Sequence, residues 1–366
     1  MKYFFKIFWL VLLLLPIFVF SAGNVSKLVT KTNSGEYLFN VKNMPSIKAF
    51  SFSPDGKEIW GTSLMNNKNG VFVIDGDTGK KITNIDLAKA GGVEIVFSKD
   101  GTKSYVSQME TAKVFEIDTG TKKILRTFNT GGNWTKVIAL SPDNKTLYAT
   151  NWLSNDISVI SIDTGKLIKK IKTVKTPRGI YITENGNIMY VAGFDNGELQ
   201  KINLTTGDKK IIYKSGGALR HIVGDNVNKV LYISDMAKAT IYKLDLSTDK
   251  VVKFVTTDSH PNTIDLMYDG KILVVSCRGK NNPKSYYIPG PTWGSVQLFD
   301  TKTGDLLDAV IGGNQPTALA VYGSKIAYSN FLDSEIEVYK FPVYEKLVEN
   351  LKSNTWIKNY KKYLIK

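Results

Sequence analysis

The sequence has very little cysteine and histidine, and this limits the chemistry that it can carry. Its 366 residues include one cysteine, Cys277, and two histidines, His221 and His260. A single thiol cannot form an intramolecular disulfide, and two isolated histidines do not make a zinc motif. The sequence also lacks a P-loop, a glycine-rich dinucleotide turn and a nucleophile elbow. We therefore expect no metal ion and no cofactor.

Acidic residues are also scarce relative to basic ones. The chain has 33 Asp and Glu against 48 Lys and Arg, a formal net charge of +15, and 43% of its residues are hydrophobic. The hydrophobic share excludes a disordered chain, and the excess of positive charge favours anionic partners. The simpler interpretation is that the charge only keeps the protein soluble.

No hydrophobic run is long enough to cross a membrane comfortably. The run at residues 7–20 has only about fourteen mostly apolar residues, where a spanning helix needs about twenty. Lys2 and Lys6 precede this run, and the small residues 21–23 follow it. This pattern is typical of a signal peptide over residues 1–22, with an uncleaved anchor as the alternative. We predict export to the periplasm or the cell exterior, which disfavours nucleic acid as a partner.

A repeat of roughly 43 residues dominates the rest of the chain. Its marker is an apolar residue followed by Ser, Pro or Lys, Asp, and Gly or Asn. The three clearest copies are FSPDG at 52–56, FSKDG at 97–101 and LSPDN at 140–144, and weaker copies continue to residue 324. The spacing predicts seven units, with one insertion before the last.

Each unit contains the pattern of four short strands. In the third unit these include a strand at 145–150, a strand with alternating apolar residues at 157–163, and a Thr-Gly turn at 164–165. Seven four-stranded units predict an all-β fold, a seven-bladed β-propeller. Residues 34–43 resemble a fourth strand, so we expect this N-terminal strand to complete the last blade and close a propeller over residues 34–341.

Two segments resemble the YVTN family of β-propeller repeats. They are TPRGIYITENGNIMYVAG at 176–193 and LSPDNKTLYATNWLSNDISVISIDTGKLI at 140–168. The resemblance covers residues 34–341 and implies the propeller fold. The same architecture is similar to that of lactonases, of haem and quinone enzymes and of cell-envelope binding proteins, so the resemblance implies no single activity.

Basic residues recur where the innermost strand of each blade begins. These positions surround the mouth of a propeller channel, and four of the seven are cationic. Converging cations repel one another unless a counter-charge is present, so they favour an anionic ligand. The alternatives are pairing with carboxylates such as Glu94, or exposure to solvent. The aligned residues are Lys48, Val93, Lys136, Arg178, Arg220, Asn262 and Thr317.

Aromatic residues are predicted on the same face. Trp152, with Trp134 nearby, is a candidate platform for a flat ligand, although such residues also pack between blades. The insertion at 277–294 is expected to be a shaped binding loop, because it is long and contains several prolines and glycines. The alternative is a decorative insertion. The candidate ligand-binding residues of this loop are Arg278, Tyr286, Tyr287 and Trp293.

Residues 342–366 predict an amphipathic, basic helical tail. Thr355 is a candidate N-cap of its second helix, and lysines such as Lys358 and Lys362 occupy the polar face. Contact with an anionic membrane surface through residues 343–366 is one interpretation. Docking against the propeller is the other.

Two functional hypotheses follow from these features. The leading one is an exported, non-catalytic binding or protein-interaction module of the cell envelope, whose partner is an anionic small molecule, a glycan or an envelope protein. The alternative is a propeller hydrolase resembling lactonases, which would use His221, Glu94 and Arg220 for acid–base chemistry. Catalysis is the less favoured of the two from sequence.

Overall fold

The protein is described from a computed structural model, over residues 31–64 and 70–366. The predicted signal peptide, residues 1–22, lies outside the described residues. Within the described part, 28 strands form seven four-stranded antiparallel sheets, which confirms the predicted seven-bladed β-propeller.

The strands follow one another in chain order, and β1 (Glu36–Lys42) belongs to the last blade. The first two blades are β2 (Ile47–Phe52), β3 (Glu58–Ser63), β4 (Val71–Asp75), β5 (Lys81–Ile85), and β6 (Ile95–Phe97), β7 (Lys103–Gln108), β8 (Lys113–Asp118), β9 (Ile124–Asn129). The third and fourth are β10 (Thr135–Leu140), β11 (Thr146–Asn151), β12 (Asp156–Ser161), β13 (Leu167–Lys172), and β14 (Pro177–Ile182), β15 (Ile188–Gly193), β16 (Glu198–Asn203), β17 (Lys209–Lys214). The fifth and sixth are β18 (Leu219–Asp225), β19 (Val230–Asp235), β20 (Thr240–Asp245), β21 (Val251–Thr256), and β22 (Pro261–Met267), β23 (Ile272–Cys277), β24 (Ser295–Asp300), β25 (Leu306–Ile311). The seventh is β26 (Pro316–Tyr322), β27 (Lys325–Asn330), β28 (Glu335–Lys340) and β1.

The ring closes as the sequence predicts. Strand β1 pairs antiparallel with β28, so that Val41 lies opposite Ile336. The Lys31 amine also lies 3.0 Å from the Glu337 carboxylate. The innermost strands of neighbouring blades contact one another all the way around, from β2 through β6, β10, β14, β18, β22 and β26 back to β2.

The repeat marker is a hairpin turn held by side-chain hydrogen bonds. In its first copy the Ser53 hydroxyl donates to an Asp55 carboxylate oxygen at 2.7 Å and accepts from the Glu58 N–H at 3.0 Å. Gly56 adopts a positive φ of 71°, and a Cβ there would lie 2.0 Å from the Tyr322 ring. The turn therefore needs glycine both for its backbone and for its contact with the seventh blade.

The core lies between blades, and large aromatic residues of the second strands fill it. These side chains are at most 2% exposed, and burial of each contributes about 1.5–3 kcal/mol to the free energy of folding. These aromatic residues recur along the chain at the interval of the blade repeat, or at a multiple of it. They are Trp60, Tyr105, Tyr190, Tyr232 and Tyr328.

The C-terminal tail docks against the sixth and seventh blades. It consists of α1 (Tyr344–Leu351), α2 (Trp356–Asn359) and a 3₁₀ turn, Tyr360–Leu364. Leu347 and Tyr360 are fully buried, and the Tyr360 hydroxyl donates to Asp258 Oδ2 at 2.8 Å. The propeller therefore covers these apolar residues of the tail.

Thr355 holds the predicted N-cap position of α2, but its side chain does not cap the helix. Instead, Asn354 Oδ1 accepts from the Ile357 N–H at 3.2 Å. Asn354 is therefore the residue whose side chain caps α2. None of the helices in the described ranges has the length and apolar character to cross a membrane.

Candidate anion site at the channel mouth

A β-bulge shapes the start of the innermost strand in six blades. In the fifth blade Leu219 pairs with Asp235 and Ile222 pairs with Ile233, so Arg220 and His221 together oppose a single residue. A bulge re-aims the side chains that it contains. Lys48, Lys136 and Arg178 lie in the corresponding bulges of the first, third and fourth blades.

A hydroxyl group supports five of these bulges, and Ser107 makes the same contact in the second blade. In the fourth blade Ala192 takes the equivalent place. In the fifth blade the Ser234 hydroxyl accepts from the His221 N–H at 3.1 Å and donates to the Asn262 carbonyl of the next blade at 3.0 Å. The pattern is visible in the sequence, because Ser or Thr is the penultimate residue of six second strands, but our sequence reasoning missed it. The six are Thr62, Ser107, Thr150, Ser234, Ser276 and Ser329.

Removing one such hydroxyl is expected to destabilise the propeller. Ser234→Ala leaves the buried His221 N–H and the Asn262 carbonyl without their shared partner, and this should lower the free energy of unfolding by about 1–2 kcal/mol. Urea unfolding measures the change. The matched control is Ser247→Ala, an exposed serine of the same blade, and an equal loss in that variant would contradict the assigned role.

Five cationic side chains converge at the channel mouth. Arg178, Arg220 and Arg278 are only 5%, 6% and 3% exposed. Burial holds the pKa of Arg220 well below its usual range, and the charges of Arg178 and Arg278 act in the same direction. Burial, followed by the charges of Arg220, Arg178 and Arg278, also lowers the pKa of Lys48, and Lys136 completes the group. We call these five residues the cation cluster.

Glu94 is the carboxylate whose charge reaches Lys48, Arg178 and Arg220. Burial raises the pKa of Glu94, while Arg178 and Arg220 oppose that rise. Its backbone is fixed by the Ser107 hydroxyl, which accepts the Glu94 N–H at 3.1 Å. The three arginines of the cation cluster outnumber this carboxylate, so the site keeps a positive excess.

His221 is close to the cluster but is poorly suited to act as a base. Burial, with Arg220 and Arg178, lowers its pKa to about 3, so the ring is neutral at physiological pH. Its Nδ1 accepts from the Ile264 N–H at 3.4 Å, which leaves the proton of the neutral ring on Nε2. His221 therefore offers a hydrogen-bond donor.

The inserted loop brings two of its predicted residues onto the cluster. The Tyr286 hydroxyl accepts from the Lys48 amine at 3.1 Å, and the Arg278 guanidinium carbon lies 3.9 Å from the centre of the Tyr286 ring. Gln315 accepts from Arg278 and donates to the Tyr286 carbonyl at 2.8 Å. Tyr287 packs edge-on against Tyr286 and is 55% exposed.

Trp293 does not join this group, and its assignment to the predicted site is corrected. Its backbone N–H donates to the Leu364 carbonyl at 2.8 Å, and the Lys366 amine lies 4.2 Å from its ring centre. Trp293 lines a separate cavity of about 180 Å³ beside the tail. The reason is that the loop turns outward after Tyr287 and pairs with the C-terminus through a bridge between Thr292 and Ile365.

Trp152 forms an aromatic wall of the cluster. The Lys136 amine lies 3.8 Å from its ring centre, and the Arg178 guanidinium carbon lies 5.7 Å away. Phe194 of the next blade packs against it at 5.0 Å. Trp134 is 39% exposed and lies 5.3 Å from the same amine. The wall is thus both an interblade contact and a flat surface beside the cations.

Several buried polar atoms of the channel have no hydrogen-bond partner in the described part of the chain. They include Nη1 of Arg178, Nε of Arg278 and both side-chain amide atoms of Asn262. Leaving such atoms unpaired costs about 1–3 kcal/mol each. A bound anion would satisfy the donors among them.

Another cavity lies at the opposite ends of the innermost strands of the fifth, sixth and seventh blades. It measures about 610 Å³ and is lined by turns that include Asp225, Asp269 and Tyr322. Its charged side chains are acidic, so it does not suit an anion.

Comparison with known proteins identifies a family with the same fold. Residues 23–211 match the family described as "Lactonase, 7-bladed beta-propeller". The chain belongs to this lactonase propeller family. The propeller resemblance found in the sequence is thus confirmed, while the finer YVTN assignment stays a prediction.

Three relatives of this lactonase-type propeller are informative. Antigen Lp49 of Leptospira interrogans (serogroup Icterohaemorrhagiae, serovar copenhageni, strain Fiocruz L1-130) is 36% identical over 69% of this chain, which spans 58% of that protein. The 6-phosphogluconolactonase of Blochmanniella floridana is 26% identical over 55% of this chain and 64% of its own length. That of Klebsiella pneumoniae (strain 342) is 23% identical over 57% and 68%.

Hydrazine synthase of Kuenenia stuttgartiensis shares the fold of this chain. The superposition has a TM-score of 0.70 at 18% identity and covers 83% of this chain and 98% of that one. At that identity the likeness shows the architecture alone.

Proposed function

We propose that this chain binds a small anionic lactone at the cation cluster and hydrolyses its ring ester. The observation that carries the proposal is the convergence of three buried arginines and two lysines at one site, where the charge of Glu94 reaches Lys48, Arg178 and Arg220. Membership of the lactonase propeller family and similarity to two 6-phosphogluconolactonases support an ester of a charged sugar acid as the ligand.

The chemistry of the site fits this reaction. Glu94 would accept a proton from a water molecule as that water attacks the lactone carbonyl carbon. The guanidinium groups of Arg178 and Arg220 would stabilise the oxyanion or hold the anionic substituent. The ring C–O bond then breaks, the alkoxide takes the proton from Glu94, and a hydroxy acid leaves. The neutral His221 would donate a hydrogen bond.

A second candidate is a non-catalytic envelope module that binds an anion, a glycan or a protein at the same face. It is favoured by the state of His221, whose Nδ1 is already engaged and whose ring is a weak base. In that case, membrane contact through residues 343–366 would use exposed lysines such as Lys358 and Lys362, because the apolar face of α1 packs on the propeller.

Hydrolysis of 6-phosphoglucono-δ-lactone and of uncharged glucono-δ-lactone tests the proposal. We expect the full chain to raise acid release above the spontaneous rate and to prefer the charged lactone by about 10- to 100-fold in kcat/KM, as expected for one or two charge-assisted hydrogen bonds. No turnover, but thermal stabilisation by 6-phosphogluconate, would favour the binding module. The absence of both turnover and thermal stabilisation would contradict both candidates.

A further inference from the structure

The amine of Lys136 is unusually placed for a lysine. It lies between two indole rings, 3.8 Å from the centre of Trp152 and 5.3 Å from that of Trp134. Among the described residues, no oxygen accepts a hydrogen bond from it and no carboxylate pairs with it. Aromatic rings are therefore the contacts that the structure gives this amine.

The charges around Lys136 disfavour its ammonium form. Burial lowers its pKa to about 6, and the positive charges of Arg178, Lys48 and Arg220 act in the same direction, against a small opposing effect of Glu110. The cation–π contact with Trp152 favours the ammonium form, so both forms are present near neutral pH. A free amine with its lone pair available is a nucleophile.

We propose that Lys136 is a carbonyl-reactive amine that condenses with the aldehyde or ketone of a small anion held by Arg178 and Arg220. The nitrogen lone pair attacks the carbonyl carbon, and the oxygen takes up a proton to give a carbinolamine. Loss of that hydroxyl as water, with loss of a proton from nitrogen, leaves a C=N bond. No oxidant or reductant is needed. The proposal rests on the anion-binding part of the proposed function.

Lys48 provides a comparison within the same channel. Burial lowers its pKa as well, but its amine donates a hydrogen bond to the Tyr286 hydroxyl at 3.1 Å, and the inserted loop covers it. Both lysines therefore belong to the cation cluster, but within the described residues the amine of Lys136 has no hydrogen-bond partner. We expect Lys48 to react more slowly.

Pyridoxal 5′-phosphate is a suitable probe, because it joins an aldehyde to a phosphate. The full chain is treated with less than one equivalent, borohydride reduces the imine to a stable secondary amine, and peptide mass spectrometry locates the label. We expect Lys136 to be labelled about tenfold or more ahead of the exposed Lys169, and inorganic phosphate to suppress this labelling.

Two variants separate the role of the Lys136 amine from the role of Arg178 in holding the phosphate. Lys136→Arg keeps the charge but removes the nucleophile, so selective labelling should disappear while its thermal unfolding still responds to phosphate. Arg178→Met should lower labelling by pyridoxal 5′-phosphate but not by pyridoxal, which lacks the phosphate. Labelling of Lys136 no faster than of Lys169 in the wild type overturns the proposal.

The outcomes also distinguish this inference from the proposed function. Stabilisation by phosphate without labelling of Lys136 would overturn the reactive amine and leave anion binding standing. Equal labelling by pyridoxal and its phosphate, without competition by inorganic phosphate, would overturn the role of the arginines.

Discussion

Replacing Arg178 and Arg220 together by methionine is expected to raise the stability of the unliganded protein and to abolish its stabilisation by anions. The two guanidinium groups are almost fully buried beside the other basic residues of the cation cluster, and Glu94 is the carboxylate of the described ranges that opposes their charge. Exchange of uncompensated buried charge for apolar side chains of similar size should add about 1–4 kcal/mol to the free energy of unfolding. Anion affinity should fall by about 100-fold or more, because both charge-assisted donors are lost.

Urea unfolding and thermal shift with 6-phosphogluconate measure the two effects. The matched control is Arg126→Met, because Arg126 pairs with Glu116, whose side chain is 1% exposed. That variant should lose stability, since it removes one of the two partners of a buried carboxylate. A double variant that is destabilised and still responds to the anion would show that the cation cluster is not a ligand site.

Glu94→Gln is expected to separate binding from turnover. The amide cannot accept a proton from water, so lactone hydrolysis should fall by about 10²–10⁴-fold. Removal of the negative charge should leave binding of 6-phosphogluconate equal or tighter, because the cluster becomes more positive. The control is Glu110→Gln, an exposed carboxylate on the next strand connection. Full turnover in Glu94→Gln would exclude Glu94 as the base.

The pH dependence of lactone hydrolysis by the wild type should also reflect the role of Glu94 as the base. Burial raises the pKa of Glu94 above its ordinary value of 4.5, and only the carboxylate can act as a base. Activity should therefore fall as the pH is lowered through that raised pKa. His221, with a pKa of about 3, remains neutral over this range and should add no second step.

Much of the fold was predictable because each blade repeats the same local chemistry. The Ser-x-Asp turn at 53–55, the buried second-strand aromatics such as Tyr232 and the Thr-Gly turns recur at a fixed spacing. The cationic positions were predictable for the same reason, since alignment of the blades on the second-strand aromatics identifies the residue equivalent to Arg178 in each innermost strand.

The remaining parts of the site depend on segments that do not repeat. The contact between Lys48 and Tyr286 joins residues 238 positions apart through a loop without periodicity. The outward course of that loop at Trp293 depends on the tail, whose apolar pattern does not reveal what it packs against. The neutral state of His221 follows from burial, from the adjacent Arg220 and from Arg178 of the neighbouring blade, and a single sequence does not place the burial or Arg178.

The closure of the ring has a consequence for how the chain reaches its native state. Strand β1 pairs with β28 across nearly the whole length of the chain, so the last blade cannot be complete before both of its distant segments have formed. Until β1 is in place, β28 is an open edge that any extended strand can pair with. A second copy of the chain supplies an identical β1, so strand exchange between copies competes with closure at high concentration. We therefore expect slow folding, and dimers linked through the seventh blade at high protein concentration.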